Sequence, residues 1–173
     1  MKIKIIIIVF IILSIMSCQK QDFVRKQIEA LKSTPVSLEF KDMQIKRLNY
    51  VNNAKWKLII YSDTTEYSSC GLRDLSNWQP FIEKAKEKSV DIIFIFTPSK
   101  KNVDVFNFVL KTRIPKANIV VDTKNIFIKR NPQIPVNPLL HIFLLNKDNE
   151  VVLVGNPLKN KEINKLFWGI VLQ

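Results

Sequence analysis

Short hydrophobic runs alternate with amphipathic segments through the middle of the chain. The strongest run is VDIIFIF, from Val90 to Phe96, and a second one extends from Lys57 to Tyr61. Continuous apolar runs bounded by turn residues are typical of strands that are buried on both faces. Between the two runs, apolar residues recur at helical spacing, and they are Leu72, Leu75, Trp78, Ile82 and Ala85. Strand, helix and strand in this order predict a parallel crossover.

A second amphipathic segment follows Val90 to Phe96. Either Ser99 or Asn102 can cap a helix there. The apolar positions of that helix are Val103, Phe106, Val109 and Leu110. Ile119 to Val121 then predicts a short strand, and Lys124 to Arg130 predicts a short helix.

The C-terminal part of the chain predicts a hairpin and a helix. An irregular, proline-rich connection from Asn131 to Pro138 comes first. His141 to Leu145 and Glu150 to Val154 are apolar runs separated by the polar turn Lys147-Asp148-Asn149, which is a hairpin pattern. The final helix is predicted on the apolar positions Ile163, Leu166, Phe167 and Ile170.

The N-terminus has the pattern of an export leader. Lys2 and Lys4 precede an apolar run from Ile5 to Leu13, which is too short for a membrane span and typical of a signal peptide. The following residues, Ile15-Met16-Ser17-Cys18, resemble a bacterial lipobox, which implies removal of residues 1–17 and lipid attachment to Cys18. The alternative is an ordinary signal peptide with an incidental cysteine.

Residues 18–35 are predicted to form a tether or short helix that Pro35 ends, and residues 36–173 to form the domain. Within the domain, Val36 to Phe40 alternates apolar and polar residues and predicts a strand. Gln44 to Tyr50 predicts a second strand that pairs with it.

Composition narrows the classes of function. The formal charge is +12, spread along the chain mostly as lysine, without the arginine runs and interleaved aromatic residues expected of a nucleic-acid surface. The predicted surface is therefore soluble and attracted to anionic lipid or envelope polymers. His141 is the one histidine, which excludes zinc sites with several imidazoles. Three glycines cannot form a phosphate-binding loop, and no metal or other cofactor is expected.

The segment KLIIYSDTTEYSSCGLRDLSNWQPFIEKAKEK, residues 57–88, resembles the first strand, active-site loop and first long helix of a thioredoxin-like domain of the membrane-tethered redoxin type. The segment FLLNKDNEVVLVGNP is similar to the late hairpin of that family. The resemblance implies an α/β fold, a three-layer α/β/α sandwich. Its mixed sheet combines parallel crossover strands with a C-terminal antiparallel hairpin and a helix.

The family motif is Cys-x-x-Cys, and the matching residues here are Tyr67-Ser68-Ser69-Cys70. The resemblance implies that Tyr67 replaces the attacking cysteine, that Cys70 occupies the resolving position, and that Ser68 and Ser69 border the substrate. It also implies a cis proline before the hairpin strand. Alignment puts Leu140 at that position, so either Pro138 serves in a longer loop or the feature is lost.

Two interpretations of Cys70 remain open. In the first, it is a small, partly buried structural residue, which is the commonest state of a lone cysteine. In the second, Cys70 is the attacking thiol of a one-thiol site, with Gly71 allowing a tight turn and Arg73 supplying positive charge. The resemblance favours Tyr67 at the first motif position, because loops of that family bring the first cysteine about five residues after the end of the strand. Tyr67 lies six residues after Tyr61, and Cys70 lies nine after it.

The sequence therefore predicts a lipoprotein of the cell envelope, facing the periplasm or the cell exterior and held to the membrane through Cys18. We expect it to lack dithiol exchange and to act as a binding or accessory module, with an envelope protein or a thiol compound as its partner and no nucleic acid. The alternative is a one-thiol reductase or peroxidase that uses Cys70.

Three further residues carry structural expectations. Trp78 is expected in the core, and His141 is expected to be a structural residue with its hydrogen bonds satisfied. Pro80 lies inside the predicted helix, where it removes a hydrogen bond, so it is expected to kink or restart that helix.

Overall fold

The computed structural model describes residues 21–47, 54–63, 74–98, 114 and 117–173. Within them, one mixed sheet has six strands in the spatial order β1-β4-β3-β2-β5-β6. The strands are β1 (Gln44–Arg47), β2 (Trp56–Ser62), β3 (Val90–Phe96), β4 (Asn118–Val121), β5 (Ile142–Leu145) and β6 (Val151–Val154). β2, β3 and β4 are mutually parallel, while β1, β5 and β6 are antiparallel to the strands they pair with.

Helices cover both faces of this sheet. The described helices are α1 (residues 21–31), α2 (Trp78–Glu87), α3 (Ile126–Arg130) and α4 (Lys161–Val171). Two 3-10 turns, Asp74–Asn77 and Pro138–Leu140, precede α2 and β5. The α/β class, the parallel crossover from β2 to β3 and the C-terminal hairpin and helix are confirmed.

One core lies between the sheet and helices α2 and α4. Trp78 is buried there, with its ring edge-on to Phe94 at a centroid distance of 5.8 Å. Phe81 of α2 contacts Phe167 and Trp168 of α4 at 5.2 and 5.3 Å between ring centroids. Aromatic pairs at these distances add to the free energy of apolar burial. The expectation that Trp78 is a core residue is confirmed.

A second core lies on the opposite face of the sheet, against α1 and α3. It contains Leu31 of α1 and Phe127 of α3, both without solvent exposure. Successive residues of a strand point to opposite faces, and β2 accordingly sends Leu58 and Ile60 into the first core. Its other residues, Ile59 and Tyr61, enter the second core. Burial on both faces explains why residues 58–61 of β2 form a continuous hydrophobic run.

Pro80 is the third residue of α2, because that helix begins at Trp78 after the 3-10 turn. The N–H groups of the first helical turn have no intrahelical partner, so a proline there removes no hydrogen bond of the helix. The expected loss of a hydrogen bond is wrong, while the change from a 3-10 turn to an α-helix two residues before Pro80 agrees with the predicted restart.

The predicted strand from Val36 to Phe40 is wrong. These residues have no strand assignment, and β1 pairs with β4 instead of with them. Their backbone is held by loops: Val36 N–H donates to the carbonyl of Asn149 at 2.8 Å, and Ser37 N–H donates to Oδ1 of Asn131 at 2.7 Å. A side chain takes the place of the neighbouring strand.

Other expectations are met in part. α1 lies within the predicted tether, and its Leu31 is buried in the second core, so this part of the segment packs against the domain. Leu166 of α4 was expected to face the core but is 52% exposed. Leu72, residues 48–50 and the helix predicted after Ser99 or Asn102 lie outside the described residues. None of the helices in the described ranges has the length and apolar character needed to cross a bilayer.

Candidate functional site

The carboxyl ends of the parallel strands meet at one edge of the sheet, which we call the carboxyl edge. Ser62, at the end of β2, accepts a hydrogen bond from Thr97 N–H at 2.9 Å. Phe96, at the end of β3, accepts one from Asp122 N–H at 2.8 Å. The connection that carries the motif residues leaves β2 at this edge, because Ser62 is the last residue of the strand.

The start of β5 lies at the same edge. Tyr61 N–H donates to the carbonyl of His141 at 3.0 Å, immediately before Ile142 begins the strand. The 3-10 turn Pro138–Leu140 precedes His141 directly. The proline-rich connection and the end of β2 are therefore neighbours.

The predicted site residues are only partly described. Tyr67, Ser68, Ser69 and Cys70 lie outside the described residues, as does Cys18. Pro138 is described, and the peptide bond that precedes it is trans, like every other peptide bond of the described residues. Pro138 therefore begins a 3-10 turn instead of supplying the cis bond that the resemblance implies.

His141 is a satisfied structural residue, as expected. It is 2% exposed, and its Nε2 lies 2.8 Å from the carbonyl oxygen of Pro135. Because a carbonyl only accepts, this contact assigns the proton to Nε2. The imidazole also meets the ring of Tyr61 edge-on at a centroid distance of 4.9 Å. This ring joins the proline-rich connection to the sheet.

The connection between Pro135 and Leu140 exposes two apolar side chains, which sequence reasoning missed. Val136 is 89% exposed and Leu139 is 80% exposed. The segment is braced, since Oδ1 of Asn137 accepts from Leu139 N–H at 3.2 Å and Leu140 is buried. No local signal in the sequence separates these exposed residues from Leu140, which is apolar, lies in the same connection and is buried.

Asp122 and Thr97 are buried polar residues at the carboxyl edge, and the sequence pattern singled out neither. The carboxylate of Asp122 accepts from Phe127 N–H at 2.7 Å and from Lys124 N–H at 3.2 Å, so it holds the beginning of α3. Thr97 is 3% exposed, and its hydroxyl has no hydrogen-bond partner among the described residues. The Asp122 carboxylate therefore has a structural role, which is to hold the beginning of α3.

A buried lysine lies at the other end of β2. Lys57 is 1% exposed, and its Nζ donates to Lys147 O at 3.2 Å and to Asn149 Oδ1 at 2.9 Å. Burial lowers the pKa of Lys57 from its ordinary value, while the charges of Asp91 and Asp148 oppose that shift. Lys57 belongs to an apolar run in the sequence, so this role was missed.

The described part of the chain holds no group of three or more His, Cys, Asp or Glu side chains that could bind a metal ion. The described side chains at the carboxyl edge are hydrogen-bonding and apolar groups, and they form no metal site.

No protein-family model matches the chain, and no curated protein matches it either. Several solved structures are similar to the chain. A putative thiol-disulfide oxidoreductase from Bacteroides vulgatus is 14% identical, with a TM-score of 0.53, over 82% of this chain and 92% of that one. A putative thiol:disulfide interchange protein DsbE from Chlorobium tepidum is 13% identical, with a TM-score of 0.52, over 69% and 82%.

A thioredoxin-like protein from Bacteroides caccae is 20% identical, with a TM-score of 0.46, over 66% of this chain. This chain spans 40% of the length of that protein. At these identities the comparisons establish the architecture. The chain has a thioredoxin-like fold, as the resemblance in the sequence implied.

Proposed function

We propose that this protein is a lipid-anchored accessory module of the cell envelope, which uses its thioredoxin-like fold to bind a partner and does not catalyse dithiol–disulfide exchange. The observation that carries the proposal is the number of thiols. The chain contains two cysteines, Cys18 and Cys70. Lipid attachment to Cys18 leaves Cys70 without a second thiol in the mature chain.

Dithiol exchange requires two thiols in one site. The first thiolate attacks the substrate disulfide and forms a mixed disulfide, and the second displaces the reduced substrate, so that two electrons leave the enzyme as one disulfide forms. Tyr67 occupies the first motif position in our alignment. Its phenol has no sulfur atom, so it cannot form a mixed disulfide. Cys70 alone cannot complete the cycle.

The exposed side chains beside the carboxyl edge support a binding role. Val136 and Leu139 are presented to solvent on a segment held by His141 and Asn137. A rigid apolar contact surface loses little conformational entropy when a partner binds. An envelope protein that covers these two side chains is the partner we propose.

A disulfide-reduction assay tests the absence of exchange. With dithiothreitol present, the chain is expected to reduce insulin no faster than its Cys70→Ser variant. A rate above background that Cys70→Ser abolishes would show that one thiol suffices for catalysis and would overturn the proposal.

Metabolic labelling with palmitate tests the anchor. We expect label in the full chain and in Cys70→Ser, and none in Cys18→Ser, together with release of Cys18→Ser from the membrane fraction. Equal labelling of all three proteins would contradict lipid attachment at Cys18.

A one-thiol peroxidase or reductase is the second candidate, favoured by Gly71 and Arg73 next to Cys70. Its thiolate would attack a peroxide oxygen and release water or an alcohol as the sulfur becomes a sulfenic acid. External thiols would then restore the thiol, forming a disulfide and water. The discriminating measurement is the alkylation rate of Cys70 against pH. An apparent pKa well below about 8.5 favours this candidate, and slow labelling at every pH favours the accessory module.

A further inference from the structure

Helix α1 is fixed to the domain by one of its faces. Leu31 is completely buried in the second core, and Val24, Gln27 and Ile28 are half-buried. Spacings of three and four residues place these side chains on the same face of a helix. The orientation of α1 about its own axis relative to the sheet is therefore set by packing.

A second stripe of α1 faces solvent. Phe23, Lys26 and Ala30 are exposed and lie three and four residues apart, with Phe23 62% exposed. On another side of the helix, Arg25 and Glu29 form an exposed ion pair at 2.9 Å and neutralise each other. The stripe through Phe23 thus combines an aromatic ring with a lysine.

Chain length places this stripe close to the proposed anchor. Gln19 and Lys20 separate Cys18 from Gln21, the first residue of α1 that the structure describes. Consecutive Cα atoms are about 3.8 Å apart, so three such steps reach roughly 11 Å at most. With lipid on Cys18, the Cα atom of Gln21 lies within that distance of the lipidated residue.

Charge indicates the kind of lipid. Lys2 and Lys4 are the charged residues that precede Cys18, so residues 18–173 contain 25 basic and 15 acidic residues, a formal charge of +10. Lys20 and Lys32 flank α1 in the sequence, and Lys26 lies on the stripe itself. Basic residues near a bilayer favour anionic lipid by about 1 kcal/mol each.

We propose that the stripe formed by Phe23, Lys26 and Ala30 lies against the headgroup region of an anionic phospholipid bilayer, as a second membrane contact beside the lipid on Cys18. This inference rests on the anchor in the proposed function. The anchor keeps the stripe at a high local concentration relative to the bilayer, so one aromatic ring and one lysine suffice to orient the domain.

The test uses the lipidated protein reconstituted into vesicles of phosphatidylcholine, with or without phosphatidylglycerol. In a Cys70→Ser background, an environment-sensitive fluorophore is attached at Ala30→Cys or, as a control directly after the C-terminal end of α4, at Leu172→Cys. Both positions are exposed to solvent, and Leu172 is 63% exposed. Lipids that carry a nitroxide near the headgroup quench fluorophores lying in that layer.

In vesicles that contain phosphatidylglycerol, we expect the label at residue 30 to be quenched about threefold more than the label at residue 172, with a blue-shifted emission. Phe23→Ala and Lys26→Glu should each reduce quenching at residue 30 toward the control, whereas Lys161→Glu on α4 should leave it unchanged. Circular dichroism confirms that each variant is folded.

Two results would overturn the inference. One is equal quenching at residues 30 and 172 in anionic vesicles, and the other is strong quenching at residue 30 that both Phe23→Ala and Lys26→Glu leave unchanged. Mass spectrometry of the purified protein measures the lipid on Cys18 separately. A lipidated protein with no excess quenching at residue 30 contradicts the second contact and leaves the anchor intact, whereas an unlipidated protein contradicts both.

Discussion

Tyr61 and His141 join the central strand to the proline-rich connection through backbone and rings together. The N–H of Tyr61 donates to the carbonyl of His141 at 3.0 Å, and the two rings meet edge-on at 4.9 Å between centroids. His141 then contacts the carbonyl of Pro135 through Nε2. Because Pro135 directly precedes Val136, this contact positions the backbone that carries the exposed side chain of Val136.

Replacing His141 with phenylalanine tests this link. His141→Phe keeps an aromatic ring beside Tyr61 but leaves the carbonyl of Pro135 without its donor, so we expect the free energy of unfolding to fall by about 1–3 kcal/mol. Urea denaturation measures the change. Val136→Ala, at an 89% exposed position, is the control and should change stability by less than about 0.5 kcal/mol. Wild-type stability in His141→Phe would contradict this role of the ring.

Asn131 is expected to be among the most sensitive polar positions of the fold. It is fully buried, and its side chain accepts from Ser37 N–H and donates to the carbonyls of Ser37 and Phe127. Asn131→Ala removes the partner of Ser37 N–H and of the Ser37 carbonyl, while the Phe127 carbonyl keeps the N–H of residue 131, and we expect a loss of about 3 kcal/mol in the free energy of unfolding. Gln133→Ala, whose side chain makes one exposed hydrogen bond of 3.4 Å to Pro35 O, is the matched control. Similar small losses of unfolding free energy in Asn131→Ala and Gln133→Ala would contradict this prediction.

Two glycines should respond oppositely to alanine. Gly155 has φ +130°, and an added Cβ would lie 3.1 Å from the side chain of Ile163, so Gly155→Ala is expected to destabilise the fold by about 1–3 kcal/mol. Gly169 lies in α4 with nothing within 4 Å of an added Cβ, so Gly169→Ala is expected to stabilise by about 1 kcal/mol. Thermal unfolding followed by circular dichroism compares them, and a shift of the same sign in both would contradict the prediction.

Lys57 predicts a pH dependence of stability. Its pKa is lowered by burial in the folded protein, so the unfolded chain binds more protons between that lowered pKa and the ordinary value of about 10.4. The free energy of unfolding of the wild type should therefore rise with pH across this window, relative to Lys57→Met. Urea denaturation of both proteins from neutral pH to pH of about 11 isolates this effect, because the other titrating groups are shared. If the free energy of unfolding changes with pH in the same way in both proteins, the pKa of Lys57 is not lowered by folding.

At neutral pH we expect Lys57→Met to be less stable than the wild type by about 1 kcal/mol. The two acceptors in the hairpin turn, Lys147 O and Asn149 Oδ1, lose their donor, and the relief of burying a charge offsets part of that loss. A more stable Lys57→Met would mean that desolvation dominates.

The register of the motif has its own test. If Tyr67 occupies the position of the attacking cysteine, Tyr67→Cys should form a disulfide with Cys70 under mild oxidation, since the two positions are spaced as in Cys-x-x-Cys. Loss of free thiol against Ellman's reagent measures the reaction, and Thr65→Cys is the control outside the motif spacing. A disulfide in Thr65→Cys and none in Tyr67→Cys would show that Tyr67 does not occupy the position of the attacking cysteine.

Much of the architecture was predictable from local pattern. Residues 58–61 of β2 and 92–96 of β3 are buried on both faces and form hydrophobic runs, and the two strands of the β5–β6 hairpin are separated by a polar turn. The N-terminal strand prediction failed because the partner of Ser37 is the side chain of Asn131, 94 residues away in the chain. Alternation of apolar and polar residues cannot reveal such a partner.

The candidate site was only partly accessible from sequence. The thiol count and the likeness of residues 67–70 to the motif came from the chain itself. The exposure of Val136 and Leu139, and the contact of His141 with Pro135, required the folded chain. An apolar residue in a proline-rich connection gives no local sign of whether it is buried.

The sequence by itself determined the order of the described strands and helices from β2 to α4, the number of thiols and the net charge, because each depends on residue identity and short-range spacing. Tertiary structure alone decided that Lys57 is buried within the hairpin turn and that Leu31 enters the core while Phe23 faces solvent. The physical reason is that burial and hydrogen-bond partners depend on which distant segments pack together, and short-range spacing carries no record of that packing.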